Sequence, residues 1–180
     1  MSAKMLTGQV AEIPGPKHAN IIPNADVAVN LLKKAKRPLF VVGSESLNLE
    51  TVDGDLVDFA IRAMKYKKLT IVATAHISGE FRRRGIKKIN GMSLFVLGKY
   101  LTEKEWKGFD GKGPYDMVVF AGLPYYMEWL VESGLKNFSG MQTMSFEKSY
   151  QPNASWSLGW MSSVEWRKTL ENIVSKLEEG

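Results

Sequence analysis

The run Leu39-Phe40-Val41-Val42 enters after Arg37-Pro38 and leaves through Gly43-Ser44. An apolar run without alternation reads as a strand covered on both faces, which is the condition of a parallel sheet. Two more such runs, Leu69 to Ala75 and Met117 to Gly122, also leave through small residues into stretches that can be helical. Strands alternating with helices predict an α/β fold: a doubly wound parallel sheet with right-handed crossovers and helices on both faces. Ligands of such sheets gather at the carboxyl ends of the strands.

With 180 residues and 44% hydrophobic content, the chain suffices for one core, and no linker divides it. A single domain over residues 1–180 is expected, with residues 1–24 as an arm broken by Pro14, Pro16 and Pro23. No 18-residue apolar run or signal-peptide core is present, so a cytoplasmic protein without membrane contact is expected. Cysteine is absent and His18 and His76 are the only histidines. The chain therefore lacks the thiolates that hold iron–sulfur clusters, and any redox metal is expected on another subunit. Its net charge of +5 suits anionic ligands or an acidic partner surface and does not imply nucleic acid. Arg82-Arg83-Arg84 is the sharpest basic cluster, read either as a solvated turn or as a phosphate or partner contact.

A first helix is expected after Asn24, which suits an N-cap, ending before Pro38. A second should run from Asp55 to Lys67, and a polar loop should span residues 76–79. Asn90 to Leu101 reads as a helix, and Thr102 with Glu105 as a capping box opening another turn. Pro124 marks the start of a helix whose inner face is predicted at Met127, Leu130, Val131 and Leu135. A strand over Gln142 to Phe146 follows. Residues 150–160 read as an aromatic loop without period, suited to packing or to an interface. Ser162 and Glu165 form a capping box for a last helix carrying Trp166, Leu170, Ile173, Val174 and Leu177.

If the strands are adjacent, Gly43, Ser44, Thr74, His76, Ser78, Gly122 and Pro124 converge at one sheet edge. Small residues there would admit a pyrophosphate to exposed amides. Turn-making is the alternative for the glycines, and capping a strand end the alternative for His76. Neither Ser44 nor Ser78 sits in a nucleophile elbow, and no acid/base pair is identifiable, so no catalytic residue is assigned.

Ala35-Lys36-Arg37-Pro38-Leu39-Phe40-Val41-Val42-Gly43 resembles the opening of the NAD/FAD-binding domain of deoxyhypusine synthase and of thiamine-diphosphate enzymes. Thr74-Ala75-His76 and Gly122-Leu123-Pro124 stand where later strands of that superfamily end. Together with Ile13-Pro14-Gly15-Pro16 and the aromatic tail through Trp160, the whole chain resembles the epsilon-subunit family of the acetyl-CoA decarbonylase/synthase complex. The resemblance implies a three-layer Rossmann-like fold and an accessory role beside a large nickel–iron–sulfur alpha subunit in an alpha-two epsilon-two component, self-association being left open. It also implies either stabilisation of that assembly or electron transfer to FAD bound at the seven residues above.

Overall fold

A computed structural model describes residues 18–74 and 77–179. Helix α1 (Ala25–Lys34) starts where Asn24 accepts a hydrogen bond from the Val27 amide and ends in Lys33 and Lys34, cations that suit its carbonyl end. It leads into β2 (Pro38–Val42), every residue of which is buried. After a 3₁₀ turn at Ser46–Asn48 and a small hairpin of β3 (Glu50–Thr51) and β4 (Gly54–Asp55), α2 (Leu56–Ala63) begins at a capping box of Asp55 and Asp58. Then come β5 (Thr70–Ala73), α3 (Ile77–Arg83), β6 (Asn90–Gly91), α4 (Leu94–Thr102), β7 (Met117–Ala121), α5 (Tyr125–Phe138), β8 (Gln142–Ser145), β9 (Trp156–Ser157) and α6 (Ser163–Glu178). The Ser162–Glu165 capping box opens α6, and all five of its predicted core residues are buried.

One parallel sheet runs β1-β9-β8-β7-β2-β5-β6, where β1 is Asn20–Ile21. Counting β2, β5, β6, β7, β8 and β9 as first to sixth, the order is 3-2-1-4-5-6, that of dinucleotide-binding sheets, with β1 added at the edge. The direction of winding therefore reverses between β2 and β7. Side chains of β2 alternate: Phe40 and Val42 join the core under α1, α2, α3 and α6, while Leu39 and Val41 join the core under α4 and α5. Helices thus cover both faces, as expected. No helix among the described residues is long and apolar enough to cross a membrane.

Several local expectations change. Part of the expected arm is sheet: β1 pairs with β9, and the Tyr150 hydroxyl donates to the Ala19 carbonyl at 2.9 Å. Residues 1–17 lie outside the described residues. Helix α2 stops at Ala63, short of Lys67, because the chain tightens through Met64 and Lys65. The expected polar loop is instead the start of α3 from Ile77, and Asn90–Gly91 is an edge strand, not helix. Thr102 does not cap a new helix; its hydroxyl donates back to the Lys99 carbonyl in the last turn of α4. The aromatic loop contains β9 and is largely buried. These strands are two residues long, too short to show a period.

Candidate functional site

At the carboxyl ends of β2 and β7 the chain turns through Gly43 and Gly122. The Gly43 amide donates to the Ala121 carbonyl at 2.8 Å, and the Glu45 amide to the Gly122 carbonyl at 2.8 Å. The Ser46 hydroxyl and amide both donate to the Gly43 carbonyl. A Cβ on Gly43 would collide with the Gly122 carbonyl; a Cβ on Gly122 would collide with the Ser46 hydroxyl, and its φ of +73° already favours glycine. Thr74 closes the next strand end, donating from its amide and hydroxyl to the Val42 carbonyl. Ser78 lies in the first turn of α3 facing Gly91, and Pro124 is the N-cap of α5. Of the seven predicted residues, Gly43, Ser44, Thr74, Gly122 and Pro124 thus share the central part of one sheet edge, with Ser78 one turn into α3. His76 lies outside the described residues.

The described members of the set thus lie at one end of the sheet, but the Gly43 and Gly122 turns are packed against each other. A dinucleotide site needs free amides and the room that glycines leave. Here the Gly43, Glu45 and Ser46 amides already bond to the backbone, and both glycines are pressed against neighbouring loop atoms. The Leu123 amide donates to the Glu147 carboxyl at 3.1 Å, so an internal carboxyl already holds the end of β7. In this conformation the Gly43, Glu45 and Ser46 amides are not available to a cofactor's diphosphate.

Glu147 belongs to a group of acids the sequence pattern did not reveal. Glu128 and Glu132, one turn apart on α5, are both fully buried, and none of their carboxyl oxygens has a hydrogen-bond partner among the described residues. Ser145 lies beside Glu128 but outside hydrogen-bond geometry. Burial above all raises both carboxyls well above the usual range; Glu132 and Glu147 push Glu128 further up, while Glu147 raises Glu132 against the lowering effect of Glu128 and Lys136. Glu147 is pushed up to about 7 by burial and by Glu45, against the Leu123 and Gly122 amides. The predicted inner face of α5 is correspondingly rotated: Val131 and Leu135 are buried, whereas Leu130 is 53% exposed.

The arginine cluster divides. Arg84 pairs with Asp55 at 2.6 Å, Asp58 at 2.7 Å and Glu80 at 3.1 Å, tying α3 to the start of α2. Arg83 pairs with Glu80 on its own helix, and Arg82 is exposed. Arg84 is thus a structural clamp and not an open phosphate ligand. Among the described residues no cluster of His, Asp or Glu could hold a metal ion.

The family model for the CO dehydrogenase beta subunit/acetyl-CoA synthase epsilon subunit matches residues 4–174. The chain belongs to this family. It is 38% identical to the acetyl-CoA decarbonylase/synthase complex subunit epsilon 1 of Archaeoglobus fulgidus, over 82% of this chain and 78% of the relative. Subunit epsilon 1 of Methanosarcina barkeri is 33% identical over 84% of this chain and 86% of its own. The epsilon subunit of Methanothermobacter thermautotrophicus is 28% identical over 98% of both chains. The doubly wound sheet and the missing cysteines are thus properties of an epsilon-type subunit, a component of a larger complex.

Proposed function

We propose that this chain is an accessory, non-catalytic subunit that joins a large nickel–iron–sulfur alpha subunit in an alpha-two epsilon-two component. There it stabilises the assembly for reversible acetyl-CoA cleavage and CO oxidation in the cytoplasm. The relatives' names, which place them in acetyl-CoA decarbonylase/synthase complexes, support this reading. The observation that carries it is the switch point, where Gly43 and Gly122 pack on each other's loops and the Gly43, Glu45 and Ser46 amides bond to backbone carbonyls. The test is co-expression with the alpha subunit. Co-purification and a longer half-life of alpha's CO-oxidising activity at elevated temperature are expected. CO oxidation by the purified chain alone, or an alpha subunit indifferent to it, would defeat the reading.

The strand order supports a second reading, in which FAD binds at the switch point and accepts electrons from the partner. Because the Gly43, Glu45 and Ser46 amides are engaged, binding through them would require these loops to part in the assembled complex. FAD titrated into the chain alone should give no saturable quenching of its five tryptophans. Quenching only with alpha present supports the electron-transfer role, and none in either case removes it.

A further inference from the structure

Helices α4 and α5 form a layer that is more apolar outside than a solvent-facing layer ordinarily is. On α5, Tyr126 and Leu130 are 70% and 53% exposed, while Glu128 and Glu132 are buried. Its neighbour α4 exposes Phe95, Val96 and Tyr100. A surface helix turns its charges outward, so a face of exposed apolar groups is normally covered. The opposite layer behaves ordinarily: α6 buries its apolar stripe and places Arg167, Glu171, Lys176 and Glu178 in ion pairs.

This face continues as a trench to the point where the described chain begins. A groove between α4 and α5 is lined by Gly98, Gly134, Phe95 and Leu130. At Thr102 it meets a wider hollow of about 490 Å³, where Phe138 stands 80% exposed. That hollow shares Gly140, Met141 and Gln142 with a third, which is lined by His18, the first described residue. The parallel sheet dictates this meeting. Strand β1 runs in the same direction as β9 and β8, so the chain before Asn20 leaves at the edge where the strands begin. Helix α5 ends at that edge too, since from Phe138 the chain must enter β8 at Gln142.

We infer that this trench is the docking site of the chain's own residues 1–17, whose apolar side chains cover the α4–α5 face as a strap. The segment carries Met5, Leu6, Val10 and Ile13. Fully extended it reaches about 55–60 Å, whereas α5 is only about 21 Å long, so it can follow the trench to its far end. Charge selects no foreign occupant: Lys99 and Lys104 along the trench are matched by Glu103 and Asp116, and the segment is itself mixed, with Lys4, Glu12 and Lys17. Attachment decides instead. A segment tethered at the mouth of the trench is present at a local concentration on the order of millimolar, which a second copy or another protein must match from solution. The strap does not depend on the subunit reading and needs no partner.

The chain has no cysteine, so one introduced thiol reports on cover. Leu130→Cys and Val164→Cys, the latter on the opposite layer, are made in the full chain and treated with a polyethylene-glycol maleimide, each rate being taken relative to the same thiol in urea. Leu130 and Val164 are 53% and 61% exposed, so without a strap the two thiols react alike. Leu130→Cys is expected to react at least tenfold more slowly, and by the same factor at every protein concentration. Adding Val10→Asp and Ile13→Asp should bring it to the Val164→Cys rate, with folding checked by circular dichroism. Equal rates without those two substitutions overturn the strap. Protection lost on dilution overturns it in favour of a second copy, and protection unmoved by the two aspartates excludes residues 1–17 as the cover. As a second measurement, Ile13→Cys with Phe138→Cys should close a disulfide within one chain, because Ile13 stands five residues before His18, a reach of about 17 Å. A disulfide-linked dimer as the main product overturns the inference in favour of segments exchanged between copies.

Discussion

The Glu147 carboxyl accepts from the Leu123 amide at 3.1 Å, placing an ionisable group in the turn that ends the central strand β7. Its pKa is pushed up to about 7 by burial and by the nearby Glu45. In the unfolded chain a glutamate titrates near 4.3. The native state therefore holds a proton that the unfolded state has released, and stability present at low pH is lost as pH rises through about 7. At the acid end the sign reverses: ion pairing with Arg62 lowers the Glu171 carboxyl and holds Glu178 at about 2, so their contribution disappears as pH falls below the usual carboxylate range. Urea unfolding from pH 4 to 8.5 should give a maximum near pH 5 and a fall on the order of 2–3 kcal/mol toward pH 8. Glu147→Gln keeps an acceptor for the Leu123 amide and should shrink the alkaline limb, the remainder belonging to Glu128 and Glu132. An unchanged limb would remove Glu147 as its cause.

Gly43→Ala and Gly122→Ala should each cost more than about 2 kcal/mol, because the added methyl meets a backbone carbonyl in one case and the Ser46 side chain plus a positive φ in the other. Gly134→Ala is the contrast, since its Cβ enters open space inside α5 and gains roughly 0.5–1 kcal/mol of helix propensity. Urea midpoints with unchanged slopes measure both effects. Equal midpoints for Gly43→Ala and wild type would mean that the two loops part readily, as FAD binding requires.

The sheet was legible because its central strands are buried on both faces and therefore written as continuous apolar runs. Asn24, Pro38 and the Ser162–Glu165 pair marked element boundaries through local capping chemistry, which a single sequence displays. The strands β1, β6 and β9 were not legible, since two residues fixed by a neighbour's backbone leave no pattern. Gly43, Thr74 and Gly122 were correctly placed at one edge, yet whether their amides stay free depends on how loops from distant parts of the chain pack. The inner face of α5 was misplaced for a physical reason as well. Apolar periodicity assumes that solvent covers the other side, and Leu130 and Tyr126 violate that assumption.

Arg84 and Arg82 should respond oppositely to truncation. Arg84→Met removes a guanidinium that holds Asp55, Asp58 and Glu80 together, leaving the Asp55 cap of α2 without its cation. A loss of about 1–3 kcal/mol is expected, shrinking at high salt because the cluster is partly exposed. Arg82 is exposed, and Arg82→Ala should stay within about 0.5 kcal/mol of wild type. Thermal midpoints at 0.05 and 1 M salt decide the matter; equal effects of the two substitutions would contradict the structural role of Arg84.

Glu128 is the place where a buried carboxyl should be worse than its amide. It faces Glu132 on its own helix, Glu147 beyond β8 and Ser145 on β8, and it lacks a hydrogen-bond partner among the described residues. Burial raises its pKa well above the ordinary glutamate value, so the folded chain keeps it neutral and must take up a proton to do so. That uptake becomes harder as pH rises. Glu128→Gln preserves volume and polarity but cannot ionise. It should therefore raise the thermal midpoint at pH 8, where the unfolded glutamate is fully ionised, and have little effect at pH 4, where both states are largely protonated. The decisive quantity is the difference between the two pH values, since any packing change would appear at both. A stabilisation independent of pH would show that Glu128 does not take up a proton on folding, and a destabilisation confined to pH 8 would require a cation bound beside it.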